Sequence, residues 1–141
     1  MLDAGLEVMR LSHVYQTEAV ETFSQPLFLN QVAELCGTTL PPPQTTMARL
    51  LRIEYALGRR REVEKGPRLI DLDLLLYPNQ ISETAFLTLP HPRLHRRRFV
   101  LQPLAELAPH LRHPVLNKSI TELLNEVEDA STVTLWRPDR S

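Results

Sequence analysis

The sequence predicts an α+β fold in which a mostly antiparallel sheet carries helices on its faces. Two observations support this class: separate segments alternate apolar and polar residues as strands do, and three other segments place apolar residues at helical spacing. The chain has 141 residues, of which 43% are hydrophobic and 23% are charged. This length and composition suffice for one core, so we expect a single soluble domain over residues 1–141.

Net charge and cysteine content limit which cellular environment and which partners are expected. The formal net charge of -1 indicates no partner by itself. Basic residues nevertheless cluster at 59–68 and 93–98, where local attraction for an anion is expected. The single cysteine, Cys36, excludes an internal disulfide and fits a reducing cytosol, so we expect a cytoplasmic location. No apolar run reaches spanning length, and we expect neither a membrane nor a nucleic acid as partner.

Two strands are expected near the beginning of the chain. Residues 6–15 alternate imperfectly and are rich in strand-forming residues, and residues 28–36 alternate again. We expect residues 16–26, which lie between these two segments, to form an exposed loop.

A helix is expected after three consecutive prolines that end at Pro43. The apolar residues at helical spacing are Met47, Leu50, Leu51, Ile53 and Leu57. Thr45 or Thr46 is the expected cap, and Gly58 is the expected end. Glu54 falls near the apolar side of this helix, where it is either a functional carboxylate or a boundary residue.

Residues 69–77 predict the strand around which the rest of the chain is organised. They follow a Gly66-Pro67 turn and are largely apolar. Alternation places Asp71 and Asp73 on one face of this strand. The residues expected on the opposite, core-facing side are Ile70, Leu72, Leu74 and Leu76.

Asp71 and Asp73 are candidate metal ligands. At a strand rise of roughly 3.3 Å per residue their Cα atoms stand about 6.6 Å apart, so both carboxylates can converge on one point. Mg²⁺ suits this layout, because it is commonly held by one or two carboxylates plus substrate phosphates. Taken alone, the spacing is more typical of a solvated strand face. The nearby basic residues favour the metal, because arginines match the oxygens of a chelated polyphosphate. These residues are Arg59, Arg60, Arg61, Lys65, Arg68, Arg93, Arg96, Arg97 and Arg98.

The second half of the chain predicts a hairpin, two helices and a final strand. Ile81 and the run 86–89 suggest short hairpin strands after a turn. Residues 97–107 predict a helix with a proline near its first turns. A second helix is expected over 119–127, opened by a capping box of Ser119 and Glu122. Residues 132–136 are expected to form an edge strand.

The sequence resembles the 6-hydroxymethyl-7,8-dihydropterin pyrophosphokinase family of folate biosynthesis. Three stretches carry the resemblance: Gly-Pro-Arg-x-x-Asp-Leu-Asp-Leu-Leu from Gly66, Leu-Pro-His-Pro from Leu89, and Arg-Arg-Phe-Val-Leu-x-Pro-Leu from Arg97. It extends from about Leu6 to about Leu124. It implies a ferredoxin-like fold and transfer of pyrophosphate from ATP to the hydroxymethyl group of the pterin, releasing AMP, with two Mg²⁺ ions and ATP as co-substrate.

The resemblance also implies roles for individual residues. The catalytic residues would be Arg61, Arg68, Asp71 and Asp73. Of these, the two aspartates would hold both metal ions and the two arginines would contact the phosphates. The ATP-binding positions are Glu54, Arg59, Thr88, His91 and Arg97. The pterin-binding positions are Thr17, Phe28, Asn30 and Phe99. The chain departs from the family pattern at Lys65, Phe86 and Pro92, where contacts are expected to be lost or rearranged.

A larger departure lies at the beginning of the chain. The family's opening strand and its Gly-Ser-Asn-Leu-Gly loop are not found in these residues, so we expect an N-terminally truncated domain. Because that strand is central in the family, we expect the chain to be unstable as a monomer without compensation. Compensation would come from pairing the Asp71 and Phe28 strands directly, from residues 132–136, or from a second copy. The oligomeric state is left open.

Two other functions compete with this interpretation. The chain could be an inactive truncated remnant. It could also be a ferredoxin-like nucleic-acid-binding module that uses Phe28 as a stacking platform. The second alternative gives no reason for Asp71 and Asp73, which would repel nucleic acid.

Overall fold

In the residues that the structure describes, short strands and three helices make up an α+β structure, and every strand pairing among them is antiparallel. The computed structural model describes residues 6–18, 28–35, 41–56, 72–77 and 80–137. The strands are β1 (Val8–Leu11), β2 (Tyr15–Glu18), β3 (Phe28–Asn30), β4 (Ala33–Leu35), β5 (Ser82–Glu83), β6 (Thr88–Leu89) and β7 (Thr132–Leu135). The helices are α1 (Pro43–Ala56), α2 (Arg98–Leu107) and α3 (Ile120–Glu126), with a 3₁₀ turn at Leu94–Arg96. The predicted α+β class is therefore confirmed.

The first two predicted strands are each divided in two. β1 pairs with β4, and β2 pairs with β3. Between these ladders the Ser12 hydroxyl accepts a hydrogen bond from the Val32 amide at 2.9 Å, and Gln31 Nε2 donates to Ser12 O at 2.7 Å. Side chains thus replace part of the backbone ladder, which interrupts both strands. The expected loop over 16–26 is wrong at its beginning, because β2 extends to Glu18.

The predicted edge strand at the end of the chain is present as β7. It pairs with β2 from Tyr15 opposite Leu135 to Glu18 opposite Thr132. The three-stranded sheet has the order β3-β2-β7, so β2 is central. β7 therefore does not compensate for an unpaired edge at residues 72–77, and the described ladders contain no pairing of residues 72–77 with β3 either.

The prediction of a central strand over residues 69–77 is wrong for residues 72–77, the part that the structure describes. Residues 72–76 join no ladder, and Tyr77 makes only an isolated bridge to Gln80. The expected alternation also fails, because Leu74 packs with Tyr77, Leu87 and Leu89. Leu76 instead packs with the cluster of Leu94, Leu101, Leu104, Ile120 and Leu123. Side chains alternate between two faces only in a pleated strand. Because this segment forms no ladder, its apolar side chains can pack into two different clusters.

Helix α1 begins at Pro43, two or three residues before the expected cap. Proline suits the first turn because its missing amide would have no intrahelical partner there. Thr46 is fully buried within the helix and accepts a hydrogen bond from the Tyr77 hydroxyl. Burial raises the pKa of Tyr77, although the Thr46 contact opposes that shift. Thr46 is thus a tether for Tyr77 rather than a cap. The expected end at Gly58 lies outside the described residues.

The main core lies between α2 and α3. α2 matches the predicted helix and contains Pro103, and α3 begins at the predicted capping box of Ser119 and Glu122. In the part of the chain that the structure describes, no helix has the length and apolar character needed to cross a bilayer. The expected hairpin is present as β5 and β6, but Ile81, which was expected in its first strand, lies just before β5, and its second strand begins only at Thr88.

The turn between α2 and α3 is organised around the side chain of His113. This residue is only 4% exposed, and its Nδ1 accepts hydrogen bonds from the amides of Val115 and Leu116 at 3.2 and 3.1 Å. Its ring meets that of His95 edge to face at 6.0 Å. Burial lowers the pKa of His113, and His95 lowers it further.

We expect the free energy of unfolding to decrease as the pH falls below about 6.5, the ordinary value for histidine. Below this pH, His113 is protonated in the unfolded chain but stays neutral in the folded protein, because its pKa is lower there. Acid therefore favours the unfolded state, which binds the additional proton. The loss is expected to continue down to the folded pKa of His113. The slope due to one residue is at most about 1.4 kcal/mol per pH unit. His91, whose pKa is also lowered, acts in the same direction.

Urea titrations between pH 5 and 8 would measure this effect. His113→Gln is expected to flatten the pH dependence of the unfolding free energy. His110→Gln serves as the control because His110 is exposed. An equal change of slope in both variants would contradict the role of His113.

Candidate active site

One cavity brings together five of the predicted site residues. It has a volume of about 580 Å³ and lies between residues 30–35, residues 72–77 and α2. The predicted site residues that line it are Asn30, Asp73, His91, Arg97 and Phe99. A carboxylate, an amide, a guanidinium, an imidazole and an aromatic face therefore border one space.

The segment that carries Asp73 is fixed to α1 by a buried side chain. Glu54 is 2% exposed, and its Oε2 accepts a hydrogen bond from the amide of Leu72. Asp73, the next residue, is exposed and borders the cavity. The position of Glu54 beside this backbone is a contact that the sequence reasoning missed. The sequence feature that could have indicated this contact is the position of Glu54, an acidic residue, near the apolar side of the predicted helix.

His91 connects the Asp73 segment with the arginines that follow it. Its amide donates to Leu75 O at 2.7 Å, and its Nδ1 accepts from the Arg93 amide at 3.1 Å. Burial lowers the pKa of His91, and Arg97 and Arg93 lower it further, while Asp73 opposes the shift. The imidazole is therefore neutral near pH 7, with its proton on Nε2 because Nδ1 is an acceptor.

Arg97 and Phe99 stand at the beginning of α2. Arg97 has extended backbone at the N-cap, and its guanidinium lies 5.4 Å from the centre of the Phe99 ring. This distance permits a cation-π contact. Both side chains are half-buried and border the cavity, so a charged donor group and an aromatic face are held side by side.

The three predicted pterin-binding residues near the beginning of the chain share one face of the β2-β3 ladder. Thr17 lies opposite Phe28, and Asn30 is two residues further along β3. Of these three, only Asn30 borders the cavity, and Phe28 is 55% exposed. Thr17 is buried, and its Oγ1 has no hydrogen-bond partner within the described ranges. A buried hydroxyl without a partner is unfavourable, so a ligand group that reached it would be stabilised.

The other described candidates are not gathered at the cavity. Thr88 is exposed on β6 and is not among the lining residues. The expected arginine ring is also divided, because the backbone amide of Arg98 donates to Asp129 Oδ2 at 3.0 Å and its Nε donates to Asp129 O at 3.2 Å. Arg96 borders a separate depression together with Glu126 and Asp129. Asp129, in the segment that follows α3, thus holds Arg98, and Arg96 borders a different depression from the one that Asp73 borders.

Several candidates lie outside the described residues. These are Arg59, Arg61, Lys65, Arg68 and Asp71. Of the three departures from the family pattern, Phe86 and Pro92 are described, and both are exposed.

Two described carboxylates line the cavity, Asp73 and Glu34, and Glu34 is already paired with Arg10 at 2.6 Å. No group of three or more His, Cys, Asp or Glu side chains suited to a metal occurs among them. An ion here therefore needs ligands beyond Asp73. The hard carboxylate oxygen fits Mg²⁺, which takes few protein ligands and completes its shell with water and substrate phosphates.

An exposed acid outside the cavity has a structural role that the sequence did not reveal. Glu106 on α2 accepts hydrogen bonds from the Tyr15 hydroxyl at 2.8 Å and from His13 Nδ1 at 2.9 Å. Burial and this acid raise the pKa of Tyr15 to about 12. The contacts fix α2, and with it Arg97 and Phe99, against the sheet.

The structure is an α+β domain in which Asn30, Asp73, His91, Arg97 and Phe99 border one largely apolar cavity. The sequence profile of the 7,8-dihydro-6-hydroxymethylpterin-pyrophosphokinase (HPPK) family matches residues 1–109. The chain belongs to this family.

Curated relatives share its sequence over most of its length. The 2-amino-4-hydroxy-6-hydroxymethyldihydropteridine pyrophosphokinase of Bacillus subtilis is 43% identical over 134 residues, which are 95% of this chain and 74% of that protein. The enzyme of the same name from Aquifex aeolicus is 35% identical over 89% of this chain and 77% of its own length. The folic acid synthesis protein fol1 of Schizosaccharomyces pombe is 38% identical, but the match spans only 16% of that longer protein.

Proposed function

We propose that this chain transfers pyrophosphate from ATP to the hydroxymethyl group of 6-hydroxymethyl-7,8-dihydropterin, releasing AMP, in the synthesis of tetrahydrofolate. The observation that carries the proposal is the convergence of Asp73, Arg97, Asn30 and Phe99 on one cavity. Family membership supplies the substrates, because the bacterial relatives are named as this pyrophosphokinase. The enzyme would accordingly be a 2-amino-4-hydroxy-6-hydroxymethyldihydropteridine diphosphokinase.

The triphosphate of ATP would lie at the charged end of the cavity. Arg97 offers paired N–H donors to phosphate oxygens, and neutral His91 offers Nε2–H without adding charge. Asp73, together with Asp71, would hold two Mg²⁺ ions. When bound, Mg²⁺ supplies charge neutralisation and orientation of the phosphates. Arg61 and Arg68 are proposed as further phosphate contacts, and Glu54, Arg59 and Thr88 as positions on the nucleotide side.

The pterin would lie between the sheet and the beginning of α2. The Asn30 amide matches a ring edge that both donates and accepts hydrogen bonds, and the Phe99 face can stack on the flat bicycle. Phe28 and the unpartnered Thr17 hydroxyl extend this surface along β3 and β2.

The reaction requires both substrates to be held in line. The hydroxymethyl oxygen forms a bond to the β-phosphorus of ATP while the bond from that phosphorus to the AMP oxygen breaks. The hydroxyl proton leaves for solvent or a nearby base. The residues at the cavity contribute by positioning the two substrates and by stabilising charge on the phosphates, which dominate catalysis of phosphoryl transfer.

We further propose that residues 1–141 form one pyrophosphokinase domain of ferredoxin-like arrangement. The antiparallel ladders and the packing of α2 on β2, β3 and β7 support this proposal. A nucleic-acid-binding module is less well supported: Phe28 is 55% exposed, but the exposed carboxylate of Asp73 at the cavity would repel the phosphates of a nucleic acid.

Incubation of the purified chain with ATP, Mg²⁺ and the dihydropterin tests the proposal. We expect AMP and the pterin pyrophosphate to form in equal amounts, measured by chromatography. The 6-methyl analogue of the pterin is the control, because it lacks the accepting hydroxyl and should yield no AMP. A folded chain that binds both substrates without forming AMP would contradict the proposal and support the alternative of an inactive remnant.

A further inference from the structure

The first turn of α2 carries two of the residues that border the cavity. Arg97 occupies the N-cap position and Phe99 the second helical position, so the direction of both side chains depends on how this turn is held. An α-helix leaves its first amides without partners inside the helix. The side chain of Arg97 makes no hydrogen bond that caps them. A cap for this end must therefore come from another part of the chain.

Asp129 provides that cap from a position thirty-one residues after Arg98. Its Oδ2 accepts a hydrogen bond from the Arg98 amide at 3.0 Å, and its backbone oxygen accepts one from Arg98 Nε at 3.2 Å. Because the backbone and the side chain of Arg98 are both held, the start of the helix is restrained in translation and in rotation about its axis. Arg98 stands directly between Arg97 and Phe99, so the same contacts restrain the direction of these two residues.

The side chain of Asp129 is itself held in place. Its Oδ1 accepts hydrogen bonds from the amide and the hydroxyl of Ser131 at 2.8 and 2.6 Å, and Ser131 directly precedes β7. Burial opposes the shift, but the hydrogen bonds from Ser131 and Arg98 and the charge of Arg98 lower the pKa of Asp129. The carboxylate is therefore ionised near pH 7, and a negative charge is favourable at the N-terminus of a helix.

The rest of α2 is held by other contacts. Glu106, in its last turn, accepts hydrogen bonds from the Tyr15 hydroxyl and from His13 Nδ1. Apolar residues of α2 also pack against α3 in the main core. Removal of the Asp129 contacts is therefore expected to release the first turn while the remainder of the helix stays in place.

We propose that Asp129 is a positioning residue for the site: it caps α2 from outside the helix and thereby fixes Arg97 and Phe99 in the orientation in which both border the cavity. Asp129 does not line the cavity itself. The arrangement that it maintains is the pair in which the Arg97 guanidinium lies 5.4 Å from the centre of the Phe99 ring. The consequence for substrates rests on the proposed function, whereas the geometry of the pair can be measured in the free protein.

NMR spectra of the free full chain measure this pair, because the Phe99 ring shifts the resonances of the Arg97 side chain that lies over it. Asp129→Ala is expected to lose most of this ring-current shift. The amides of Arg98 and Phe99 are expected to exchange about tenfold faster, as loss of a helix cap weakens the first turn. Asp129→Asn retains an oxygen that can accept from the Arg98 amide, and asparagine caps helices as well as aspartate does, so both measurements should stay close to those of the unmodified chain.

Ser119→Ala is the matched control, because it removes a helix cap of the same kind from α3. The Ser119 hydroxyl accepts a hydrogen bond from the Glu122 amide, and neither residue lines the cavity. Both alanine variants are expected to lower Tm to a similar extent, but only Asp129→Ala should change the Arg97 resonances. If Asp129→Ala does not fold, Ser131→Ala removes one of the two contacts to Oδ1 and should give the same changes at smaller size.

Steady-state kinetics well below Tm measure the consequence for the site. The KM for the dihydropterin is expected to rise about tenfold in Asp129→Ala, because Phe99 no longer presents a fixed face, and to recover in Asp129→Asn. A merely structural role would reduce the amount of folded protein, which lowers the apparent kcat and leaves KM unchanged. Ser119→Ala should therefore keep the KM of the unmodified chain.

Three results would overturn the inference. Unchanged Arg97 resonances and unchanged exchange at Phe99 in Asp129→Ala would show that other contacts hold the first turn. Equal changes in Ser119→Ala would show a general loss of stability. An active Asp129→Ala variant with displaced Arg97 resonances and an unchanged KM would show that the orientation of the pair does not matter to the site. If the unmodified chain binds neither substrate, the proposed function fails, and the resonances and exchange rates still decide whether Asp129 positions the pair.

Discussion

Asp73→Asn is expected to abolish most of the pyrophosphoryl transfer while leaving the fold intact. Asp73 is exposed and borders the cavity, so its replacement by an amide of similar shape disturbs no core packing. The loss of its charge removes a carboxylate from the charged end of the cavity. Losing one preorganised electrostatic contact to a reacting group commonly costs on the order of 100-fold to 1,000-fold in rate. We expect a decrease in kcat of that size, with Tm nearly unchanged.

Glu83→Gln is the matched control for this prediction. It also removes one negative charge from an exposed residue, but Glu83 lies on β5 and does not line the cavity. If both variants lose activity equally, the effect follows from net charge rather than from the site.

Binding of the α,β-methylene analogue of ATP, which cannot react, should show the same dependence on Asp73. Calorimetry is expected to give much weaker binding in EDTA than in Mg²⁺, because the carboxylate otherwise repels the triphosphate. The Asp73→Asn variant should show a smaller difference between the two conditions. Equal affinity of the unmodified chain with and without metal would remove the proposed metal role.

Local sequence signals predicted the helices well. The Ser119 and Glu122 capping box and the apolar spacing of 97–107 depend on contacts within a few residues, and both appear as expected. The exception is α1, where Pro43 begins the helix and Thr46 is buried. Threonine was expected as a cap from its local preference, but a tertiary contact with Tyr77 determines its role.

The strands were predicted less well because ladders depend on partners far away in sequence. The division of the first two strands follows from the Ser12 hydroxyl contacting Val32, twenty residues away. The run 72–76 has strand composition but no described partner, so it forms no ladder. The composition of a segment indicates which secondary structure it favours, but hydrogen-bonded pairing with another strand determines whether it forms a β-strand.

Residues that line the cavity could be proposed from the sequence, but the contacts that position them could not. Asp73, His91, Arg97 and Phe99 belong to stretches that resemble the family, and they border one cavity. Their roles at that cavity stay predictions. The division of the arginines could not be foreseen, because Asp129 contacts Arg98 across thirty-one residues. The anchoring of Leu72 by Glu54 was likewise invisible, since it joins a helix to a segment eighteen residues away.

The contact between Glu54 and Leu72 leads to the second large effect that we expect. Glu54→Leu removes the acceptor of the Leu72 amide, and leaving a buried donor unsatisfied costs about 1–3 kcal/mol. Because Asp73 follows directly, its carboxylate should lose its fixed position, and kcat is expected to fall about tenfold or more. Glu54→Gln retains an oxygen acceptor and should restore much of the activity. Hydrogen exchange at Leu72 is expected to accelerate in the leucine variant alone.

The kinetic pattern distinguishes a positioning residue from one that binds the nucleotide. If Glu54 acts through Leu72 and Asp73, the leucine variant lowers kcat and the glutamine variant recovers it. If Glu54 contacts the adenosine part of ATP, both variants should raise KM for ATP while kcat stays the same. Arg52→Leu provides the control on the same helix, because Arg52 is exposed and its replacement should change neither constant. If Glu54→Leu changes neither kcat nor the hydrogen exchange at Leu72, the anchoring role of Glu54 is contradicted. Other contacts would then position Asp73.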